Sequence, residues 1–207
     1  MTESERKQII ALIQREVIPA IGCTEPIAVA LCVAKATETL GAKPEKIKVL
    51  LSANILKNAM GVGIPGTGMI GLPIAVALGA LIGKSDYQLE VLKDSTPEAV
   101  EEGKKLIDEK RICISLKEDI TEKLYIEVTC EAGGEQATAI ISGGHTTFVY
   151  VAKGDEVLLN KQQTSGEEEE EETLELTLRK VYDFALTAPL DEIRFILETA
   201  RLNKKAA

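Results

Sequence analysis

Between Lys57 and Lys84 the chain carries no charged side chain: Asn58 to Gly83 reads NAMGVGIPGTGMIGLPIAVALGALIG. An uncharged run of this length belongs in a protein core or in a membrane. It is punctuated by seven glycines (Gly61, Gly63, Gly66, Gly68, Gly71, Gly79 and Gly83) and by Pro65 and Pro73. Its periodic part, Ile70 to Ile82, is too short to cross a bilayer. The spacing therefore predicts a Gly/Pro turn, Gly63–Gly68, and then a buried helix. Just ahead, Asn54, Lys57 and Asn58 fall on one side of a short helical segment. Polar groups and permissive backbone before a buried helix suit a small anionic ligand, because the first N–H groups of a helix are unpaired and partly positive. The same pattern describes a core helix entered by a tight turn, and the residues alone do not choose.

Composition narrows the class. At 207 residues with 45% hydrophobic content, the chain fits one domain with a sizeable core. A net charge of −9 argues against nucleic acid or an anionic membrane as partner. Aromatics are 3% and Trp is absent, which disfavours base-stacking platforms and aromatic cages. The N-terminus, MTESERKQII, lacks the apolar stretch of a signal peptide. Cys23, Cys32, Cys113 and Cys130 form no CxxC pair and suggest neither a zinc site nor a disulfide framework. A soluble protein of the reducing cytoplasm is expected.

Along the chain, Ile9, Ile10, Leu12, Ile13 and Val17 share one face of a helix over Glu3–Val17, stopped by Pro19 and Gly22. A second helix, apolar nearly all round, runs from Ile27 to Leu40 and closes at Gly41. Thr24 is its expected N-cap, with Pro26 in the first turn. Cys23 then lies just outside a helix N-terminus, where thiolates are stabilised and metal-binding cysteines are often found; the plainer reading is a small residue filling a gap. Lys46–Ser52 reads as a strand entering a core, and Glu90–Lys110 as helical, its charged part opened by Thr96-Pro97-Glu98. The GxGxxG at Gly61–Gly66 does not follow a strand directly, and Gly83-Lys84-Ser85 ends a helix, so neither is a nucleotide motif.

From Arg111 to Leu159 the texture changes to strands, with turns at Gly133-Gly134 and Lys153-Gly154-Asp155. Cys32, Cys113 and Cys130 read as structural. His145, the single histidine, follows Gly143-Gly144, which permit close backbone approach; a satisfied polar residue at a strand end is the alternative. Gln162–Glu172 is an acidic run expected to be a mobile loop. Helices over Leu174–Leu186 and Leu190–Leu202, with Pro189 opening the second, close the chain. The expected fold class is α+β: an antiparallel sheet from about 111 to 159 packed with helices from both ends, in a single domain.

Taken together, GCTEP at Gly22–Pro26, Asn54/Lys57/Asn58, PGTG at Pro65–Gly68, GLP at Gly71–Pro73, GGHT at Gly143–Thr146 and IRFILETARLN at Ile193–Asn203 resemble one family in order and spacing. The chain resembles the N-terminal half of the iron–sulfur L-cysteine desulfidases, relatives of the iron–sulfur L-serine dehydratase alpha chain. The resemblance implies a lyase that eliminates across the α and β carbons of L-cysteine or L-serine, giving pyruvate, ammonia and sulfide or water. It implies a [4Fe–4S] cluster in the complete enzyme, with Cys23 as one ligand and the others in a half that this chain lacks. It further implies Thr24, Glu25, Asn54, Asn58, Pro65, Gly66, Thr67, Gly68 and Thr146 as substrate-binding, with Lys57 or His145 as base.

On this resemblance the chain is a fragment, a split subunit or a truncation. It is expected to lack the cluster and to be inactive without a C-terminal half or partner subunit. Self-association through exposed apolar helices is a further expectation. The alternative is a non-catalytic amino-acid-binding or regulatory module, and the plainest reading is a structural domain without a ligand.

Overall fold

The computed structural model describes residues 1–161 and 175–206, so the acidic run expected as a loop lies outside the described residues. In chain order the elements are α1 (Glu3–Glu16), α2 (Thr24–Leu40), β1 (Lys46–Leu51), α3 (Ala53–Ala59), β2 (Gly63–Ile64), β3 (Met69–Ile70), α4 (Leu72–Leu81) and α5 (Pro97–Asp108). They continue with β4 (Ile112–Leu116), β5 (Tyr125–Ala132), β6 (Glu135–Ser142), β7 (Phe148–Lys153), β8 (Glu156–Asn160), α6 (Leu178–Thr187) and α7 (Ile196–Ala206). The fold is α+β, as the residue pattern predicts. The elements form two compact units: the larger begins at Ala20 and contains the sheet, and the smaller joins Met1–Pro19 to the C-terminal helices.

In the larger unit six strands pair in the order β4-β1-β5-β6-β7-β8. All neighbours are antiparallel except β1 and β4, which run parallel. The early strand β1 is thus inserted between β4 and β5, with Val49 opposite Ile114 on one side and Val128 on the other. Alternation then sorts the side chains. Ile47, Val49, Leu51, Ile126, Val128, Cys130, Ala137, Ala139 and Ile141 are buried in the core, whereas Lys46 and Lys48 are exposed.

α2 packs across β5, β6 and β7, α4 packs on α2, and α5 packs on α4. Eleven of the seventeen residues of α2 are buried, and so are eight of the ten in α4. α4 has no polar face, and α2 carries only a narrow one, with Lys35 and Thr39 half-buried and Glu38 exposed. Their approach is close enough to exclude a side chain: a Cβ added to Gly79 would lie 2.6 Å from the main-chain oxygen of Ala30. Gly41 ends α2 in the left-handed region at φ 77°.

The structure corrects several boundaries. The helix expected from Ile70 starts at Leu72, and Ile70, 68% exposed, belongs to a two-stranded hairpin, β2–β3. The Pro65–Gly68 turn is the tip of that hairpin and does not open the buried helix. The helical stretch expected from Glu90 begins at Pro97, where the Thr96 hydroxyl accepts the N–H of Ala99; a short 3₁₀ segment, Ser85–Glu90, precedes it. The last helix begins at Ile196, six residues later than expected, after turns through Pro189–Phe195. Among the described residues no helix is long and apolar enough to cross a membrane.

The smaller unit combines polar contacts with buried and half-buried apolar side chains. Thr2 and Glu5 form a capping box at the start of α1. Arg6 makes a two-pronged pair with Glu192 at 2.8 and 3.1 Å, and Lys180 pairs with Glu5 at 3.2 Å. Ile9 and Phe184 are its buried apolar side chains among the described residues.

Replacing Gly79 with Ala drives a methyl group into the α2 backbone, which no rotamer change relieves. Overpacking of this kind costs about 1–3 kcal/mol, and urea unfolding of Gly79→Ala is expected to show a loss in that range with an unchanged m-value.

Candidate functional site

The candidate site gathers at the N-terminal end of α2. Cys23, not Thr24, is the N-cap residue, in extended conformation at φ −70° and ψ 133°. Thr24 is the first helical residue. The Cys23 side chain caps no N–H of the helix; its Sγ donates to Glu25 Oε2 at 3.0 Å. The Thr24 hydroxyl donates to the same carboxylate oxygen at 3.3 Å. Glu25 thereby collects two neighbouring donors in the first turn, where the helix dipole also favours a negative charge.

Two distant segments meet this turn. Gly22, at φ +80°, lies against Pro65 at the hairpin tip, so that an added Cβ would sit 2.8 Å from Pro65 Cγ. The second segment is the β6–β7 loop, whose His145 charge acts on Glu25. That loop is fixed by its own backbone: Ser142 N–H donates to Thr147 O at 3.1 Å, Thr147 N–H to Gly144 O at 3.2 Å, and Gly143 N–H to Leu124 O at 3.2 Å. Gly22 and Pro65 therefore meet, and the β6–β7 loop lies within electrostatic reach of the same turn, because α2 lies across the strands that carry that loop.

Electrostatics at this turn run against a free thiolate. Burial, and then the hydrogen bond to Glu25, push the Cys23 thiol above its ordinary range. The reciprocal effect holds the Glu25 carboxyl low: the Cys23 hydrogen bond contributes most, and the Thr24 hydroxyl and the His145 charge add to it. The expectation of a stabilised thiolate is corrected. The dipole of α2 is outweighed by a carboxylate in direct contact.

The other expected binding residues divide. Thr67 Oγ1 donates to Ile64 O at 2.7 Å and accepts Met69 N–H at 3.0 Å, so its hydroxyl is engaged in shaping the hairpin tip. Gly66 and Gly68 take φ of 76° and 65° there, which a side chain would resist. His145 and Thr146 are half-buried in their loop. Asn54, Lys57 and Asn58 stand on α3, which packs against α2, and all three are exposed. They form no hydrogen bond or ion pair among the described residues. Asn54 lines an open cleft of about 510 Å³ with the Leu116–Lys123 segment, in which none of Cys23, Pro65 and His145 takes part.

Sequence reasoning missed Ser52. Its side chain is buried, donates to Lys123 O at 2.8 Å and receives the N–H of Ile55 and of Tyr125 at 3.5 and 3.4 Å. It caps α3 and ties that helix to the start of β5. A serine directly before a short helical run was the available signal. Lys117, on the rim of the same cleft, is paired with Glu127 at 2.7 Å, and Glu127 also accepts the Tyr125 hydroxyl at 2.7 Å.

The thiols of this chain do not by themselves suit a four-iron cluster, which takes several cysteine ligands around one point. Cys32 is buried with its Sγ 3.3 Å from Ala139 O, and burial raises its thiol well above the ordinary value. Burial likewise raises Cys130 to about 11. Cys113 is exposed on the edge strand β4. Cys23 alone stands at the convergence, and among the described residues no three His, Cys, Asp or Glu side chains are placed to hold a metal ion.

No protein-family model matches the chain, and no solved structure matches it. It is 81% identical over 207 residues to a UPF0597 protein of Bacteroides thetaiotaomicron and 76% identical over 207 residues to one of Phocaeicola vulgatus. A UPF0597 protein of Porphyromonas gingivalis is 48% identical over 213 residues. Each match takes in 100% of this chain but only 48%, 48% and 49% of the respective relative. The chain spans about half the length of the curated relatives it matches.

The carboxylate on Cys23 has a measurable consequence. Glu25 stabilises the neutral thiol and repels the thiolate, so Glu25→Gln removes one cause of the raised value and leaves burial. Alkylation of Cys23 by iodoacetamide, followed against pH in a Cys113→Ser background, is expected to titrate above the ordinary thiol range. In Glu25→Gln the profile moves to lower pH.

Proposed function

We propose that this chain is the substrate-binding half of an iron–sulfur lyase that eliminates sulfide or water from a small amino acid, L-cysteine or L-serine, to give pyruvate and ammonia. The observation that carries the reading is the convergence at the start of α2. Gly22 packs on Pro65, Cys23 is bonded to Glu25, and the His145 loop lies within electrostatic reach of Glu25. The cluster would belong to a longer protein, in which Cys23 as thiolate would be one ligand and the remaining ligands would come from outside this chain.

Within the chain, the tasks of such an elimination find candidate groups. An α-proton must be taken by a positioned base. His145 is preferred over Lys57, because its loop lies within electrostatic reach of Glu25 at the Cys23 turn, whereas Lys57 stands on α3. The substrate carboxylate and amine need polar partners; Asn54, Lys57 and Asn58 present unengaged ones on α3, and Thr146 adds a hydroxyl in the His145 loop. Thr24 and Glu25 hold the Cys23 side chain in place, and Pro65, Gly66, Thr67 and Gly68 form the hairpin tip that packs on Gly22. Free thiols at all four cysteines fit a cytoplasmic location.

A second reading, a module that binds the amino acid without turning it over, is favoured by the single thiol at the convergence. One experiment separates the two. In a protein where this chain replaces the matching 207 residues of the B. thetaiotaomicron relative, anaerobic reconstitution is followed by assays of pyruvate, with sulfide from L-cysteine or ammonia from L-serine. Turnover is expected, with His145→Ala lowering kcat by about 10²–10⁴-fold and Cys23→Ser losing the iron. Binding without pyruvate would favour the module, and unchanged kcat in His145→Ala would remove His145 from the site.

A further inference from the structure

Helix α6 is built the wrong way round for an isolated protein. At 100° per residue, Leu178, Val181, Tyr182 and Leu186 fall within one arc of roughly 140°, the width of a core-facing stripe. Yet these are the exposed side chains: Leu178 is 91% accessible, Leu186 67%, Tyr182 60% and Val181 49%. The opposite side carries Phe184, buried, and Lys180, paired with Glu5. Just beyond the helix, Leu190 is 82% accessible. Scattered exposed apolar residues need no explanation, but a continuous exposed stripe on a helix that buries only Phe184 marks a surface that another protein covers.

The relatives indicate the occupant. The UPF0597 proteins of B. thetaiotaomicron, P. vulgatus and P. gingivalis each match this whole stretch and carry about as much chain again that has no counterpart here. A polypeptide joined covalently to the stretch meets the α6 face at an effective concentration of order millimolar, ahead of any second copy. We propose that the apolar stripe of α6 is the docking surface for the part of the protein that this chain does not span. The inference deepens the lyase reading, since that part is where the remaining cluster ligands are expected, but its test does not depend on turnover.

The test uses the full-length B. thetaiotaomicron relative and this chain side by side. A photoreactive phenylalanine analogue at the position aligned with Leu186 is expected to cross-link to peptides outside the stretch shared with this chain. Amide exchange over the residues aligned with Leu178–Thr187 is expected to be at least tenfold slower in the full-length protein than here. Cross-links confined to the shared stretch, identifying a second copy, would overturn the proposal, as would equal exchange rates in the two proteins. If the lyase reading fails but the cross-links fall outside the shared stretch, the docking surface stands.

Discussion

The larger unit depends on one contact, the backbone-to-backbone approach of α2 and α4 at Ala30 and Gly79. Two helices this apolar must be covered over most of their surface, and the coverage here comes from the sheet on one side and α5 on the other. Close approach at a glycine brings many small contacts into range at once, and Gly83 against Ala34 repeats it a turn further along. Gly103 of α5 does the same against Ile74 and Ala77. The paucity of aromatic residues follows from this construction, since a core assembled from closely spaced helices has room for Ala, Val, Ile and Leu.

The same contact fixes the candidate site. Once α2 is held across β5 and β6, its first turn has no freedom to choose its neighbours. The hairpin tip at Pro65 is brought up by the short link from β3 into α4, and the His145 loop by the connection between β6 and β7. Positive φ at Gly22 and Gly143 lets the chain turn sharply enough to arrive there. A chemically suggestive group, Cys23 with Glu25 and the charge of His145, is thus held by packing whose own residues are chemically inert.

Much of this was legible in the residues. The first helix, the apolar α2 closed by Gly41, and the β5–β6 and β7–β8 hairpins follow from periodicity and turn chemistry, which are local. The place of β1 between β4 and β5 was not legible, because a parallel pairing of residues some sixty-five apart leaves no local mark. The β2–β3 hairpin was hidden by its brevity: two residues per strand cannot alternate, and the apolar run reads as one helix. At the site the residue types were visible, but their protonation was not. Position at a helix N-terminus argues for a thiolate at Cys23, and only the geometry shows the Glu25 carboxylate occupying the thiol.

The smaller unit reverses the logic of the larger. Ion pairs at Arg6–Glu192 and Lys180–Glu5 tie α1 to the turn after α6 and to α6, Phe184 is buried, and Leu178, Val181, Tyr182 and Leu186 stay exposed. Partly exposed ion pairs contribute little to stability, typically about 0–1 kcal/mol, but they fix the angle at which a helix presents its face. On the docking proposal, the orientation of α6 is set before a partner arrives, and the hydrophobic term is released only when its exposed stripe is covered.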